Sequence, residues 1–150
     1  MGLSSDQIRQ FQTLGYVVVP DLIPADIVAR VKAEYAELLD GLYDGWIADG
    51  LVQTPEKDLD FWGKLLSAYE AGCDYFQPMD ISLPGDRIME DTPFHIGPAV
   101  FDMLTAASLL DAVEQLIGPE LTSNPIQHVR LKPPEKKLDP GEVRPHIRAT

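Results

Sequence analysis

Only two stretches of this chain read as β-strands: Tyr16-Val17-Val18-Val19 near the beginning and residues 126–132 near the end. The first is a short apolar run closed by Pro20. In the second, Ile126, His128, Arg130 and Lys132 share one face of the pleat, while Gln127, Val129 and Leu131 share the other. Two strands so widely separated make a poor sheet, because roughly three or more are needed for independent stability. Their apolar faces therefore ask for sheet partners that 150 residues hardly supply.

What lies between them is helical in pattern. Ser4 with Gln7 three residues on makes a capping box, and Leu3 and Ile8 stand where a hydrophobic staple would form. Ile8, Phe11 and Leu14 give a stripe that Gly15 ends. A second helix opens at Pro24, carries Ile27, Val31, Tyr35 and Leu38, and is expected to stop at Asp40-Gly41, with residues 41–53 as loop. A third is expected from Thr54-Pro55 to Ala71, burying Leu59, Trp62, Leu65, Leu66 and Tyr69. Residues 77–98, with four prolines, read as irregular, and a short helix follows over Ala99–Leu104. Ser108 is expected to cap a last helix with Leu109, Leu110, Val113, Leu116 and Ile117 on one face and Gly118-Pro119 as its stop.

The net charge of −12 argues against nucleic acid as the main partner. It is unevenly spread. Residues 127–150 hold six cations (Arg130, Lys132, Lys136, Lys137, Arg144, Arg148) against three acids, and such an end can meet a small anion or simply be a solvated loop. The sequence has no apolar run of membrane-spanning length and no secretory pattern at its start, where Asp6 interrupts MGLSSDQIRQ. One cysteine, Cys73, rules out an intrachain disulfide and fits a reducing, cytoplasmic setting. Asp74 beside it disfavours the thiolate, so Cys73 reads as structural.

Histidine is scarce. His95, His128 and His146 lie too far apart for a helical or strand metal pair, and His95-Ile96-Gly97, His128-Val129-Arg130 and His146-Ile147-Arg148 each lack the carboxylate of a His-x-Asp motif. The chain contains no GxGxxG, P-loop, GxSxG or CxxC. Residue chemistry alone names no reaction.

Two blocks carry a resemblance. SSDQIRQFQTLGYVVVPDLIPADIVARVKAEYAELL resembles the start of phytanoyl-CoA dioxygenase-family proteins, in which a helix ending in Gly-Tyr precedes a valine-rich strand, an Asp-Leu-Ile-Pro turn and a long helix. HIGPAVFDMLTAASLLDAVEQLIGPELTSNPIQHVRLKPP is similar to that family's next block, a helix ending in Ile-Gly-Pro and a strand closing in Lys-Pro-Pro. The resemblance implies an α+β fold: the helix-rich N-terminal part of a double-stranded β-helix (jelly-roll, cupin-like) oxygenase with most barrel strands absent. It divides a single incomplete domain, 1–150, into a helical region with one short strand (1–125), a first core strand (126–132) and a loop toward the iron motif (133–150).

It also implies Fe(II) and 2-oxoglutarate as cofactors and hydroxylation of a small organic substrate, with O2 activated at iron as oxoglutarate loses CO2. The iron-binding His-x-Asp and distant His, and the oxoglutarate Arg, are not among these residues: Arg148 stands where the Asp after His146 would be. The chain alone is therefore expected to be inactive and to bind neither cofactor. The family contacts oxoglutarate four positions before the Lys of Lys-Pro-Pro, which here is His128; Lys132 shares its face. Two other readings stand beside this one. One is a non-catalytic, helix-rich interaction module, with self-association through unpaired strand edges. The other is a metal-binding protein using His95, His128 and His146.

Overall fold

The computed structural model describes residues 2–53, 58–73, 79–81, 88–92, 94–124, 128, 129 and 131. Five helices account for most of them: α1 (Ser5–Leu14), α2 (Ala25–Ala48), α3 (Phe61–Glu70), α4 (Pro98–Leu104) and α5 (Ala107–Ile117). The long α2 is the axis of the packing. α3 and α4 both lie against it, α5 packs on α4, and α1 packs on α5.

α1 forms as its ends dictate. The Ser4 hydroxyl accepts from the Gln7 N–H while the Gln7 side chain accepts from the Ser4 N–H, and Gly15 closes the helix at φ +77°. The Leu3 N–H, just ahead of that box, donates to Gln115 Oε1 on α5 at 2.9 Å, tying the chain's beginning to the last helix.

α2 runs through the expected stop at Asp40-Gly41 and continues to Ala48. Gly41 and Gly45 each cost about 1 kcal/mol relative to Ala inside a helix. That cost is outweighed because the apolar stripe does not end there: Tyr35, Leu39 and Tyr43 are buried, and Leu42, Trp46 and Ile47 pack beside them. In α3 the cap is Asp60, whose Oδ1 accepts from the Gly63 N–H at 2.8 Å. Asp58 stands at φ +56°, a value foreign to a right-handed helix, and Trp62 is 41% exposed rather than core. The expected start at Thr54-Pro55 lies outside the described residues.

α4 starts at Pro98 behind Gly97, and α5 starts behind Ala106 rather than Ser108. The Ala106 carbonyl already accepts from the N–H groups of Leu109 and Leu110. Ser108 thus falls inside the first turn, where its buried Oγ has no hydrogen-bond partner among the described residues.

No strand occurs among the described residues. Tyr16–Val19, expected to be a buried strand, is unpaired, with Tyr16 and Val18 both exposed, the latter at 73%. Of the expected strand over 126–132, His128, Val129 and Leu131 are described, and none is in a ladder. The helix-rich half of the expected α+β fold is present. No helix among the described residues is long and apolar enough to cross a membrane.

Two apolar clusters hold the helices together. Tyr35, Leu39, Leu65, Met79 and Val100 form the larger, with Val129 and Leu131 packed on it. Tyr43, Val52, Ala68 and Cys73 form the second, which gives Cys73 the structural place expected of it. Tyr43 and Ser67 join their hydroxyls at 2.8 Å between α2 and α3.

Candidate functional site

The face of α2 that is turned to the rest of the chain carries Glu34 beside Tyr35, and three other segments converge on the two. Glu34 Oε1 accepts from His95 Nε2 at 2.8 Å, and its Oε2 accepts from the Ala99 N–H at 2.6 Å. Gly97 has no side chain to cap α4, so a carboxylate from α2 supplies the missing acceptor in the first turn. His95 then packs edge-on to the Tyr35 ring, with centroids 5.4 Å apart.

Asp80 repeats the arrangement on the other side of Tyr35. Its Oδ1 accepts from the Val129 N–H at 2.6 Å, and its Oδ2 meets His128 Nδ1 at 3.1 Å. Only 8% of Asp80 is exposed, the most enclosed charged residue among those described. The Tyr35 hydroxyl donates to the carbonyl of Met79, immediately before it, at 3.2 Å. Each carboxylate therefore spends one oxygen on a backbone N–H and the other on an imidazole, and Tyr35 stands between the two pairs. A buried carboxylate is tolerated only with such partners.

Ionising Tyr35 would place an anion between Glu34 and Asp80. Burial first, and then those two carboxylates, push its pKa from the ordinary 10.0 up to about 12. A raised pKa in the folded state favours the neutral phenol, so the stability it contributes is complete below pH 10.0 and is lost as pH rises toward about 12. Urea unfolding across that range is expected to show the midpoint of the native chain falling more steeply than that of Tyr35→Phe. Near neutral pH the same variant is expected to be about 1 kcal/mol less stable, because the Met79 carbonyl loses its donor.

Of the residues expected from sequence to meet a cosubstrate, His128 is half-exposed at the rim of this network, while Lys132 lies outside the described residues, as do Arg130 and His146. Val129 and Leu131 turn to the core and His128 turns outward, the alternation expected of that stretch. His95 and His128 do not come together on one ion: each has its own carboxylate. Among the described residues no group of three or more His, Cys, Asp or Glu is placed to hold a metal, so they do not fit an iron centre and no chemical step can be drawn through one.

Glu34 and Asp80 escaped the sequence reading. A signal for the first existed, since Val31, Glu34, Tyr35 and Leu38 fall at i, i+3, i+4 and i+7 on the buried face of α2. Asp80 offered none beyond its apolar neighbours Met79 and Ile81. Comparison with protein-family profiles, with curated proteins and with solved structures returned no match.

Proposed function

We propose that these residues belong to the N-terminal part of an Fe(II)- and 2-oxoglutarate-dependent oxygenase resembling the phytanoyl-CoA dioxygenases, acting on a small organic substrate, and that they serve as the helical platform for its catalytic barrel. The observation that carries this reading is the seating of His128, Val129 and Leu131. Asp80 grips both His128 and the Val129 N–H, Val129 and Leu131 face the core, and His128 faces out. A first barrel strand that shows one face to a cosubstrate needs that geometry. The iron ligands have to come from residues other than those described.

The decisive experiment is to read the gene past codon 150 and express the longer product. A His-x-Asp codon pattern within a few tens of residues is expected, together with Fe(II)-dependent oxoglutarate turnover by that product. The 150-residue chain is expected to show neither turnover nor stoichiometric Fe(II) binding. A stop codon directly after Thr150, or downstream sequence without the motif, sinks the proposal.

A second reading, a non-catalytic interaction module, is favoured by one observation. Phe94, Ile96 and Phe101 are 54%, 73% and 64% exposed within eight residues of chain. It requires the 150-residue chain to be a folded monomer or oligomer that unfolds cooperatively; a chain that stays molten or aggregates counts against it.

A further inference from the structure

Glu34 does more than cap α4. Its two oxygens hold the His95 ring and the Ala99 N–H, one on each side of Gly97, at 2.8 and 2.6 Å. Gly97 itself is buried against Ile81 at φ +68°. With His95 turned inward, Phe94 and Ile96 on either side of it are left exposed, and the Gly97 carbonyl accepts from the Phe101 N–H one turn into α4. Val100, Met103 and Leu104 of that helix go to the core, whereas Phe101 does not. The backbone around Gly97 is thus tied down from beneath while three large apolar side chains face outward, and exposed Ile88 and Met89 lead into them. Single exposed apolar residues are ordinary on a protein surface; a group of them on a fixed backbone marks an interface.

We propose that residues 94–101 are the docking surface for a cationic amphipathic segment of a partner protein, whose apolar face covers Phe94, Ile96 and Phe101 and whose Lys or Arg side chains meet Glu90 and Asp91. Charge selects this occupant. From residue 88 to residue 117 the sequence has Glu90, Asp91, Asp102, Asp111 and Glu114 and no Lys or Arg. Glu90 and Asp91 are exposed next to the apolar group in sequence, and the cation that reaches α4 from α2, Arg30, is paired with Asp102 at 2.6 Å. A second copy of this chain, itself at −12, would bring acid against acid, and an anionic membrane or a nucleic acid would meet the same repulsion. A cationic segment gains on both counts: charge steers its approach, and its apolar face takes the exposed side chains out of water. Because Glu34 has already fixed the backbone on both sides of Gly97, docking costs little ordering of this surface. This surface takes nothing from the oxygenase reading; it rests on the interaction reading and supplies that reading's partner.

The probe is a labelled synthetic peptide of Leu and Lys patterned as an amphipathic helix, with its Leu and Glu counterpart as control. Fluorescence anisotropy with the 150-residue chain is expected to show binding of the Lys peptide that weakens as salt rises, and binding of the Glu peptide weaker by about tenfold or more. Ile96→Ser is expected to weaken binding of the Lys peptide about tenfold, while Leu14→Ser, at an exposed apolar position on α1, leaves it unchanged. Helix content by circular dichroism is expected to be native in both variants. Should Ile96→Ser unfold, Phe101→Ser takes its place, since that side chain is exposed as well. Equal binding of the two peptides overturns the proposal, and so does binding of the Lys peptide that ignores Ile96. A chain that dimerises in sedimentation through Ile96, or binds anionic vesicles through it, also overturns the choice of partner. A chain that unfolds cooperatively and binds neither peptide overturns this surface and leaves the interaction reading standing; one that stays molten removes both.

Discussion

Leu39→Ala is expected to destabilise the chain by roughly 2–5 kcal/mol, out of a total near 5–15 kcal/mol for a domain of this size. Leu39 is fully enclosed, one turn beyond Tyr35 on α2, and shares the main cluster with Leu65, Met79 and Val100. Removing its methyl groups leaves a cavity between α2, α3 and the segment carrying Met79. That segment also holds Asp80, so the damage should spread to the polar network: Met79 supplies the carbonyl that Tyr35 binds, and Asp80 grips residues 128 and 129. Urea unfolding measures the loss as a lower midpoint at unchanged slope. Leu39→Met, which conserves volume, is expected to cost less than about 1.5 kcal/mol. Leu14→Ala, at a residue that is 57% exposed, is expected to stay within about 0.5 kcal/mol of the native chain. A Leu39→Ala chain as stable as Leu14→Ala would show that this cluster does not hold the fold.

What could be read in advance was what is local. The capping box of Ser4 and Gln7 and the left-handed Gly15 involve groups three or four residues apart, and both are present. The core-facing places of Val129 and Leu131 were also anticipated, while the strand meant to carry them is not in a ladder at any of its described residues. The failures each have a competing force behind them. Gly41 looked like a terminator, but helix propensity of about 1 kcal/mol yields to the burial of Tyr43 and its neighbours. Ser108 looked like a cap, yet the end of α4 had already placed Ala106 in that role. Val17–Val19 has high β propensity and no partner strand among the described residues, and propensity of that kind is mostly a record of packing.

Of the candidate site, the sequence pointed to His95 and His128 and to neither of their carboxylates. Its organising groups are carboxylates whose partners lie far away in sequence: Glu34 serves His95 and Ala99, and Asp80 serves His128 and Val129. In a chain with 24 acids, spacing could not single these two out. Burial does, since the other acids among the described residues are exposed to solvent while these two are enclosed and need two donors each. The surface pairs Arg30–Asp102 and Lys64–Asp40 also join helices, but their exposure limits each to a fraction of a kcal/mol, roughly 0–1.

Gly97→Ala is the substitution that tests how the Glu34 half of the network is built, and its expected cost is about 2–5 kcal/mol, the sum of two separable penalties. The first is conformational. Gly97 sits at φ +68°, and an L-alanine held there costs about 1–2 kcal/mol. The second is steric: a Cβ at this position would run into Cδ1 of Ile81 and lie 2.8 Å from its Cγ1. Ile81→Ala removes both atoms, so it should relieve the second penalty and leave the first. In a double-mutant cycle the pair is therefore expected to be about 1–3 kcal/mol less destabilised than the two single variants added together. Strict additivity would mean that the backbone shifts to avoid Ile81. Such a shift would be visible elsewhere, because Glu34 holds the residues on both sides of Gly97, His95 by its ring and Ala99 by its N–H. A backbone that moves at Gly97 has to break one of those bonds. The cycle thus separates a rigid seat, in which Ile81 and the new methyl collide, from a pliant one, in which Glu34 gives way first.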